Sequence, residues 1–209
     1  VGFAIDNDDE VKKASCQEVI RRYLIAKCDY RSGRVDASAV TKIEKVMEEL
    51  NISVNDRLVV KAAEEREAET NTPCGALQLP DGTIVTSKTS SLFGCASALV
   101  LNGLKVVSDI NKKIDLLSAG VLEPIQTLKI ESLGHHNPRL HITEALIALT
   151  ISAQTNPTAK LALENINKLK GSEAHFTVRL SSADERTLKR LGINVTTGTE
   201  YQQNKIYSL

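Results

Sequence analysis

The stretch LQLPDGTIVTSKTSSLFGCASALVLNGLKVVSDINKKIDLL, residues 77–117, decides the fold. Its first part alternates apolar and polar residues around Pro80-Asp81-Gly82, which has the backbone preferences of a tight turn and predicts a β-hairpin. Residues 90–104 include no charged side chain and are apolar on more than one face, which indicates a helix buried on several sides. We expect Ser90 or Ser91 to cap this helix, and residues 114–117 to form a strand after it.

Composition and charge argue against several classes of function. The chain has 209 residues, enough for one or two domains with a sizeable core. Lys and Arg together number 26, as do Asp and Glu, so the net charge is zero and gives no long-range attraction to nucleic acid or an anionic membrane. Only 3% of residues are aromatic, which disfavours a stacking surface for single-stranded nucleic acid. We therefore expect neither nucleic acid nor a membrane as a partner.

The cysteines and the sequence of the N-terminus indicate the cellular compartment of the protein. Cys16, Cys28, Cys74 and Cys95 are far apart, which predicts small buried hydrophobes rather than a disulfide framework. No signal peptide or long apolar run is present, so we expect a cytoplasmic protein. The chain begins with Val1 rather than Met, which suggests a fragment, and its apolar residues 1–5 predict a short strand or a lead-in.

Before the hairpin, the pattern predicts three helices with polar outer faces. Apolar residues recur at helical spacing over residues 11–28, and Asp36 is placed to cap a second helix. Ser53-Val54-Asn55-Asp56 resembles a capping box, with Asp in place of Glu, ahead of a third helix through residues 58–63. We predict a helical subdomain over residues 1–71 and an α/β domain over residues 72–209.

After residue 117, the predicted helices and strands form further layers on the same sheet. The predicted helices cover residues 121–133, with Pro124 in the first turn, and then 143–155, 157–169 and 184–191. The predicted strands cover residues 174–180, which alternate, and 193–195. The expected fold class is a three-layer α/β/α domain with a mixed sheet.

A candidate anion site precedes the apolar helix. Residues 82–89, GTIVTSKT, depart from the phosphate-loop pattern because Ser87 stands where the second Gly belongs, and their first part is a hairpin strand. Free N–H groups at a helix N-terminus still favour an anion. We therefore predict an anion or phosphoester site formed by Lys88, Thr89, Ser90 and Ser91. The alternative is a capped helix start with an exposed lysine.

A second candidate is the histidine-rich segment that contains His135, His136, Arg139 and His141. We predict that it lines a cleft or an oligomer contact, and the alternative is a solvated turn. No carboxylate or cysteine stands nearby at a familiar zinc spacing, so we predict no metal site. Pro73-Cys74 matches part of the zinc-deaminase pattern, but Leu77 replaces its second cysteine and no H-x-E occurs.

Long stretches of the chain resemble the C-terminal portion of a bacterial family, the domain of unknown function eighteen-forty-six. They are TPCGALQLPDGTIVTSKTSSLFGCASALVLNGLK, EPIQTLK, NPRLH, EALIALTISAQTNPTA and LKGSEAH. The resemblance implies a longer protein whose N-terminal half carries a phosphate-loop-like motif, and a C-terminal subdomain with cytidine-deaminase-like topology. It implies no catalytic residue. The family often has Gly at position 87 and usually Ala at position 103, where this chain has Ser and Gly.

Two functions remain open from the sequence. The first is the C-terminal structural or regulatory part of a larger nucleotide- or phosphometabolite-handling protein, with Lys88–Ser91 and the 135–141 loop facing a shared cleft. Its partners would be a small phosphorylated ligand and the missing N-terminal half of its own chain, and no cofactor is predicted. The alternative is an assembly module in which the buried helix and residues 121–170 build a homo-oligomer. Whether the protein is an enzyme stays open.

Overall fold

The computed structural model describes residues 7–201, so the strand or lead-in predicted at residues 1–5 lies outside the described part. The helices are α1 (Asp8–Arg31), α2 (Ala37–Glu49), α3 (Leu58–Thr70), α4 (Cys95–Val107), α5 (Ala119–Thr127), α6 (Ile142–Ser152), α7 (Pro157–Glu164) and α8 (Ser182–Arg190). The strands are β1 (Cys74–Gln78), β2 (Ile84–Lys88), β3 (Glu173–Phe176) and β4 (Asn194–Thr197). None of these helices is long and apolar enough to cross a membrane.

The four strands form one mixed sheet in the order β2-β1-β3-β4. β1 pairs antiparallel with both β2 and β3, and β3 pairs parallel with β4. The predicted hairpin is confirmed: Gly82 has φ +88°, and the Leu79 N–H donates to the Thr83 carbonyl at 2.9 Å across the turn. The mixed α/β class predicted from the sequence is therefore confirmed.

Helices cover both faces of this sheet. Successive side chains of a strand point to opposite faces. On β1, Ala76 packs with Val59 and Ala63 of α3, while Leu77 belongs to the main core with α4. A Cβ on Gly103 of α4 would lie 2.8 Å from the Leu77 side chain, so α4 approaches the sheet closely because this position is glycine.

The N-terminal helices are joined to the sheet through a buried arginine. Arg57, which precedes α3, is 1% exposed and donates hydrogen bonds to Glu173 Oε2 at 2.6 Å and to the Ala174 carbonyl at 3.1 Å. Burial lowers the pKa of Arg57, and the Glu173 carboxylate opposes that effect. Glu173 also accepts a 2.7 Å hydrogen bond from Arg21 of α1. The division between residues 71 and 72 stays a prediction.

Helix α4 begins later than the sequence predicted, and neither Ser90 nor Ser91 caps it. Ser90 Oγ accepts the N–H groups of Leu92 and Phe93 in a separate turn, and Gly94 is the N-cap residue. The later start of the helix has a tertiary cause. The Leu140 N–H donates to the Leu92 carbonyl at 2.9 Å and holds the backbone at Leu92 out of the helix. Cys95 is therefore the first helical residue.

The strand predicted at residues 114–117 is wrong. This segment forms turns and bends, in which Asn111 Oδ1 accepts the Lys113 N–H at 2.9 Å. Leu116 and Leu117 are buried in the main core, so the apolar run reflects burial of a loop rather than strand pairing. Within residues 7–201, the strand that follows α4 is β3, and the cytidine-deaminase-like topology is not confirmed.

The remaining elements follow the prediction with changed boundaries. Helix α5 begins at Ala119, so Pro124 lies beyond its first turn, and a π-helical turn, Leu128–Ser132, follows it. Helix α7 is followed by a 3₁₀ turn, Ile166–Leu169, and together they occupy the predicted helix. Strand β3 ends at Phe176, and beyond it Arg179 makes an isolated bridge to Tyr201. This bridge positions Arg179 and Tyr201 in the lining of a cavity at the start of α4.

Candidate functional site

The residues of the predicted anion site do not converge on a helix N-terminus. Lys88 is the last residue of β2 and is exposed, whereas Thr89 is buried. Ser90 and Ser91 lie in the turn that precedes α4. Anion binding by these four residues stays a prediction, because the helix start that motivated it lies further along the chain.

The helix start itself opens into a cavity of about 400 Å³. Its lining combines residues 94–97 of α4, the loop before α6, the segment 179–181, Asp184 of α8 and Tyr201. Of the predicted histidine-rich segment, Arg139 and His141 line this cavity, while His135 and His136 are exposed and do not line it. The structure therefore brings half of that segment to the start of the buried helix.

A histidine–aspartate pair forms one wall of the cavity. Asp184 is 7% exposed and accepts hydrogen bonds from His141 Nδ1 at 2.8 Å, the Ile142 N–H at 3.0 Å and Ser181 Oγ at 2.9 Å. Burial alone would raise the pKa of Asp184, but these hydrogen bonds outweigh burial and the pKa is lowered. The hydrogen bond to Asp184 raises the pKa of His141. The ionised carboxylate thus holds a proton on Nδ1 and leaves Nε2 as the second polar atom of the ring.

Within residues 7–201, the N-terminus of α4 has no side-chain cap. Gly94 occupies the N-cap position and carries no polar side chain, so no capping oxygen of the described residues accepts the first-turn N–H groups of residues 95–97. These groups and the helix dipole favour negative charge. Burial raises the pKa of the Cys95 thiol to about 12, so the thiol stays neutral and does not oppose an anion. The helix start is therefore electrostatically suited to an anionic ligand.

Two arginines add positive charge to the cavity. Arg139 Nε donates to the Ser90 carbonyl at 2.7 Å, which holds Arg139 beside the approach to α4. The guanidinium of Arg179 lies over the Tyr201 ring, with Cζ 5.1 Å from the ring centroid. Because the negative charge of Asp184 is paired with His141, the two guanidinium groups leave the lining with an excess of positive charge.

A buried lysine holds the loop that carries Arg139 and His141. Lys129 lies in the π-helical turn, is 3% exposed, and donates to the Arg139 carbonyl and to Glu144 Oε2, both at 2.7 Å. Glu144 Oε2 in turn accepts the His141 N–H at 2.8 Å and completes a capping box for α6. Lys129 and Glu144 therefore hold the backbone of Arg139 and His141 without lining the cavity themselves.

The chain matches a known protein family over nearly its whole length. The sequence profile described as "Domain of unknown function DUF1846, C-terminal" matches residues 55–207. The chain belongs to the DUF1846 family. The profile of the DUF1846 N-terminal domain also matches, over residues 1–51, so the similarity is not confined to the C-terminal domain as the resemblance suggested.

The curated DUF1846 relatives are bacterial. UPF0371 proteins of Streptococcus pyogenes serotype M5 (strain Manfredo) and serotype M3 (strain SSI-1) are each 46% identical to this chain over 207 residues. A UPF0371 protein of Streptococcus pneumoniae serotype 19F (strain G54) is 47% identical over 207 residues. In each comparison, the alignment covers 99% of this chain and 42% of the relative.

Several lining residues of this DUF1846 member could not be predicted as site residues from the sequence. Residues 94–97 lie inside the helix predicted from residue 90, and Arg179 lies in the strand predicted at residues 174–180. Asp184 follows Ser181 by three positions, a spacing typical of an N-cap, and Ser181 Oγ does accept the Asp184 N–H. That local signal identified the helix start but not the contact with His141. Among residues 7–201, no group of three or more His, Cys, Asp and Glu side chains is placed to hold a metal ion.

Proposed function

We propose that the cavity at the start of α4 binds a small phosphorylated ligand. In this proposal the chain is the phosphate-binding part of a larger nucleotide- or phosphometabolite-handling protein of the cytoplasm. The observation that carries the proposal is the convergence of an uncapped helix N-terminus, Arg139 and the His141–Asp184 pair on one cavity. Its volume of about 400 Å³ suits a small molecule.

Each group has a defined part in binding phosphate. The first-turn N–H groups of residues 95–97 donate to phosphate oxygens, as helix N-termini commonly do. Arg139 supplies a charge-assisted hydrogen bond. His141 adds a further cation when protonated, and the raised pKa of His141 increases its protonated fraction near neutral pH. Phosphate affinity should therefore increase as the pH falls through the pKa of His141, as long as the phosphate keeps its charge.

A phosphorylated ligand is also what the sequence predicted, but its proposed site is the start of α4 instead of residues 88–91. Lys88, Thr89, Ser90 and Ser91 become residues of the approach to α4 rather than its N-terminus. The chain spans 42% of the length of its curated relatives, so the activity of the longer relatives is not assigned to this site.

The test is a titration of the chain with inorganic phosphate by isothermal calorimetry, for the wild type and two variants. Arg139→Ala should weaken binding at least tenfold, because it removes a charged donor from the cavity. Lys88→Ala is the matched control and should change the affinity less than twofold. Absence of phosphate binding by the wild type, or an equal loss in both variants, would overturn the proposal. Circular dichroism checks that each variant is folded.

A second function, the assembly module, is favoured by a different observation. Helix α6 exposes Ile147 and Ile151, at 56% and 61%, and Leu161 on the neighbouring α7 is 44% exposed. Ile147 and Ile151 are one helical turn apart, and contiguous exposed apolar surface is typical of sites that bind protein. A homo-oligomer formed through this face would dissociate in an Ile151→Glu variant, whereas a monomeric wild type in analytical ultracentrifugation would contradict it.

A further inference from the structure

A second, more polar cavity adjoins the first. It has a volume of about 240 Å³ and lies between the C-terminal part of α1, strand β4 and α8. Its charged lining side chains carry both signs: Asp29, Arg34, Arg179, Glu185 and Lys189. Asp29 and Arg34 are paired at 3.2 Å, whereas no hydrogen bond or ion pair of the Glu185 or Lys189 side chain occurs among residues 7–201.

Arg179 lines both cavities and stands between them. Its guanidinium packs on Tyr201, which lines the first cavity. Nη1 donates to the Cys28 carbonyl at 3.4 Å and to Ser32 Oγ, at the C-terminal end of α1 beside the second cavity. Within the described residues, neither Nε nor Nη2 of this side chain has a protein acceptor, so both remain available to a ligand.

Helix α8, like Arg179, lines both cavities. Its first turn presents Asp184 to the first cavity and Glu185 to the second. Lys189 follows Glu185 by four positions, so both lie on one face of the helix. The helix therefore provides one wall for two neighbouring spaces, and these spaces differ in chemistry.

We propose that the two cavities bind the two ends of one ligand, the phosphate monoester of a sugar. This inference rests on the proposed function, since the phosphate end occupies the first cavity. The hydroxyl-rich end occupies the second, where Glu185 accepts and Lys189 donates hydrogen bonds to hydroxyl groups. Arg179 binds between the two ends. Among the residues that the structure describes, no aromatic side chain lines the second cavity, which disfavours a stacked nucleobase there.

The test compares glucose 6-phosphate with inorganic phosphate as ligands of the full chain in calorimetric titrations. The wild type should bind the sugar phosphate at least tenfold more tightly than phosphate. Glu185→Gln and Lys189→Ala should each weaken glucose 6-phosphate at least fivefold more than they weaken inorganic phosphate. Arg190→Ala removes another cation from the last turn of α8, outside both cavities, and should change neither affinity.

The possible results distinguish failure of the two-cavity ligand from failure of the phosphate site. The two-cavity ligand is wrong if the wild type binds phosphate but shows no preference for glucose 6-phosphate. It is also wrong if both α8 variants lower the affinities for phosphate and glucose 6-phosphate equally. In either case the proposed phosphate site is unaffected. A stronger preference for adenosine monophosphate than for glucose 6-phosphate would also overturn the sugar assignment. If neither phosphate nor glucose 6-phosphate binds, both proposals fail.

Discussion

His141 Nδ1 lies 2.8 Å from Asp184 Oδ2, and this contact joins the N-terminus of α6 to the first turn of α8. Asp184 also accepts the Ile142 N–H at 3.0 Å, so one buried carboxylate binds both the ring and the backbone of the neighbouring helix start. The loop before α6 and helix α8 are thereby held together as one wall of the cavity. The protonation of this pair consequently affects both the site and the stability of the fold.

The first prediction concerns the titration of His141. Asp184→Asn removes the carboxylate that raises the pKa of His141, so the midpoint should fall toward the ordinary histidine value of about 6.5. Histidine ring signals followed by NMR between pH 5 and 9 measure the change. His175 is an internal control, because burial lowers its pKa to about 3 and its signals should not shift in this range. A His141 midpoint that does not move would show that another group sets its pKa.

The second prediction is the pH dependence of stability. Because the pKa of His141 is raised in the folded state, its contribution to stability is full below about pH 6.5 and is lost as the pH rises through the folded-state pKa. The pKa of Asp184 is lowered in the folded state, so the Asp184 carboxylate has the opposite pH dependence. Its contribution to stability is lost as the pH falls through the folded-state pKa of Asp184.

The measurement for this prediction compares the urea unfolding of His141→Asn with that of the wild type. The loss of stability caused by the substitution should be larger at pH 6 than at pH 9. An equal loss at both pH values would indicate that the ring contributes by packing alone. His136→Asn, at an exposed histidine outside the cavity, should lose no stability at either pH.

The third prediction concerns the ion pair between the buried Lys129 and the half-buried Glu144. Lys129→Met leaves Glu144 and the Arg139 carbonyl without their shared donor, and should lower the free energy of unfolding by about 1–3 kcal/mol. Adding Glu144→Gln removes the unpaired charge but keeps an oxygen for the His141 N–H, so the double variant should recover part of the loss. Urea titrations of the two single variants and the double variant give the coupling free energy. Strict additivity would contradict a direct interaction.

The fourth prediction concerns glycine packing. A Cβ on Gly75 of β1 would lie 2.6 Å from two atoms of the Phe176 ring, which has little room to move in the core. Gly75→Ala should therefore lower the free energy of unfolding by about 2–3 kcal/mol. Gly120→Ala is the matched control, because Gly120 is helical and no atom of residues 7–201 that could crowd an added Cβ lies within 4 Å of it. The control should be neutral or stabilising by up to about 1 kcal/mol.

Elements with local signals could be predicted from the sequence. Pro80-Asp81-Gly82 specifies the hairpin turn without help from distant residues. Asp36 caps α2 as expected, accepting the N–H groups of Ser38 and Ala39. The capping box from Ser53 to Asp56 forms with Asp in place of Glu, although it begins a 3₁₀ turn rather than α3 itself.

Features that depend on tertiary contacts could not be predicted in the same way. The start of α4 is set by Leu140, which lies far along the chain. Residues 114–117 show that a short apolar run can be a buried loop as well as a strand. Arg139 and His141 could be predicted as site residues because they cluster with other histidines in one loop, whereas Asp184 is 43 positions from His141 and only folding brings it near.

The arrangement of β1 has a consequence for the order of folding. β1 meets β2 across a short turn, but its contact with the segment after β3 joins Cys74 to Thr177, 103 positions away. A hairpin forms within microseconds, while closing a long intervening chain carries a larger entropic cost and delays long-range pairing. During synthesis, the second edge of β1 therefore stays unpaired until the chain has grown past β3. Until the sheet closes, this unpaired edge of β1 is open to pairing with another chain.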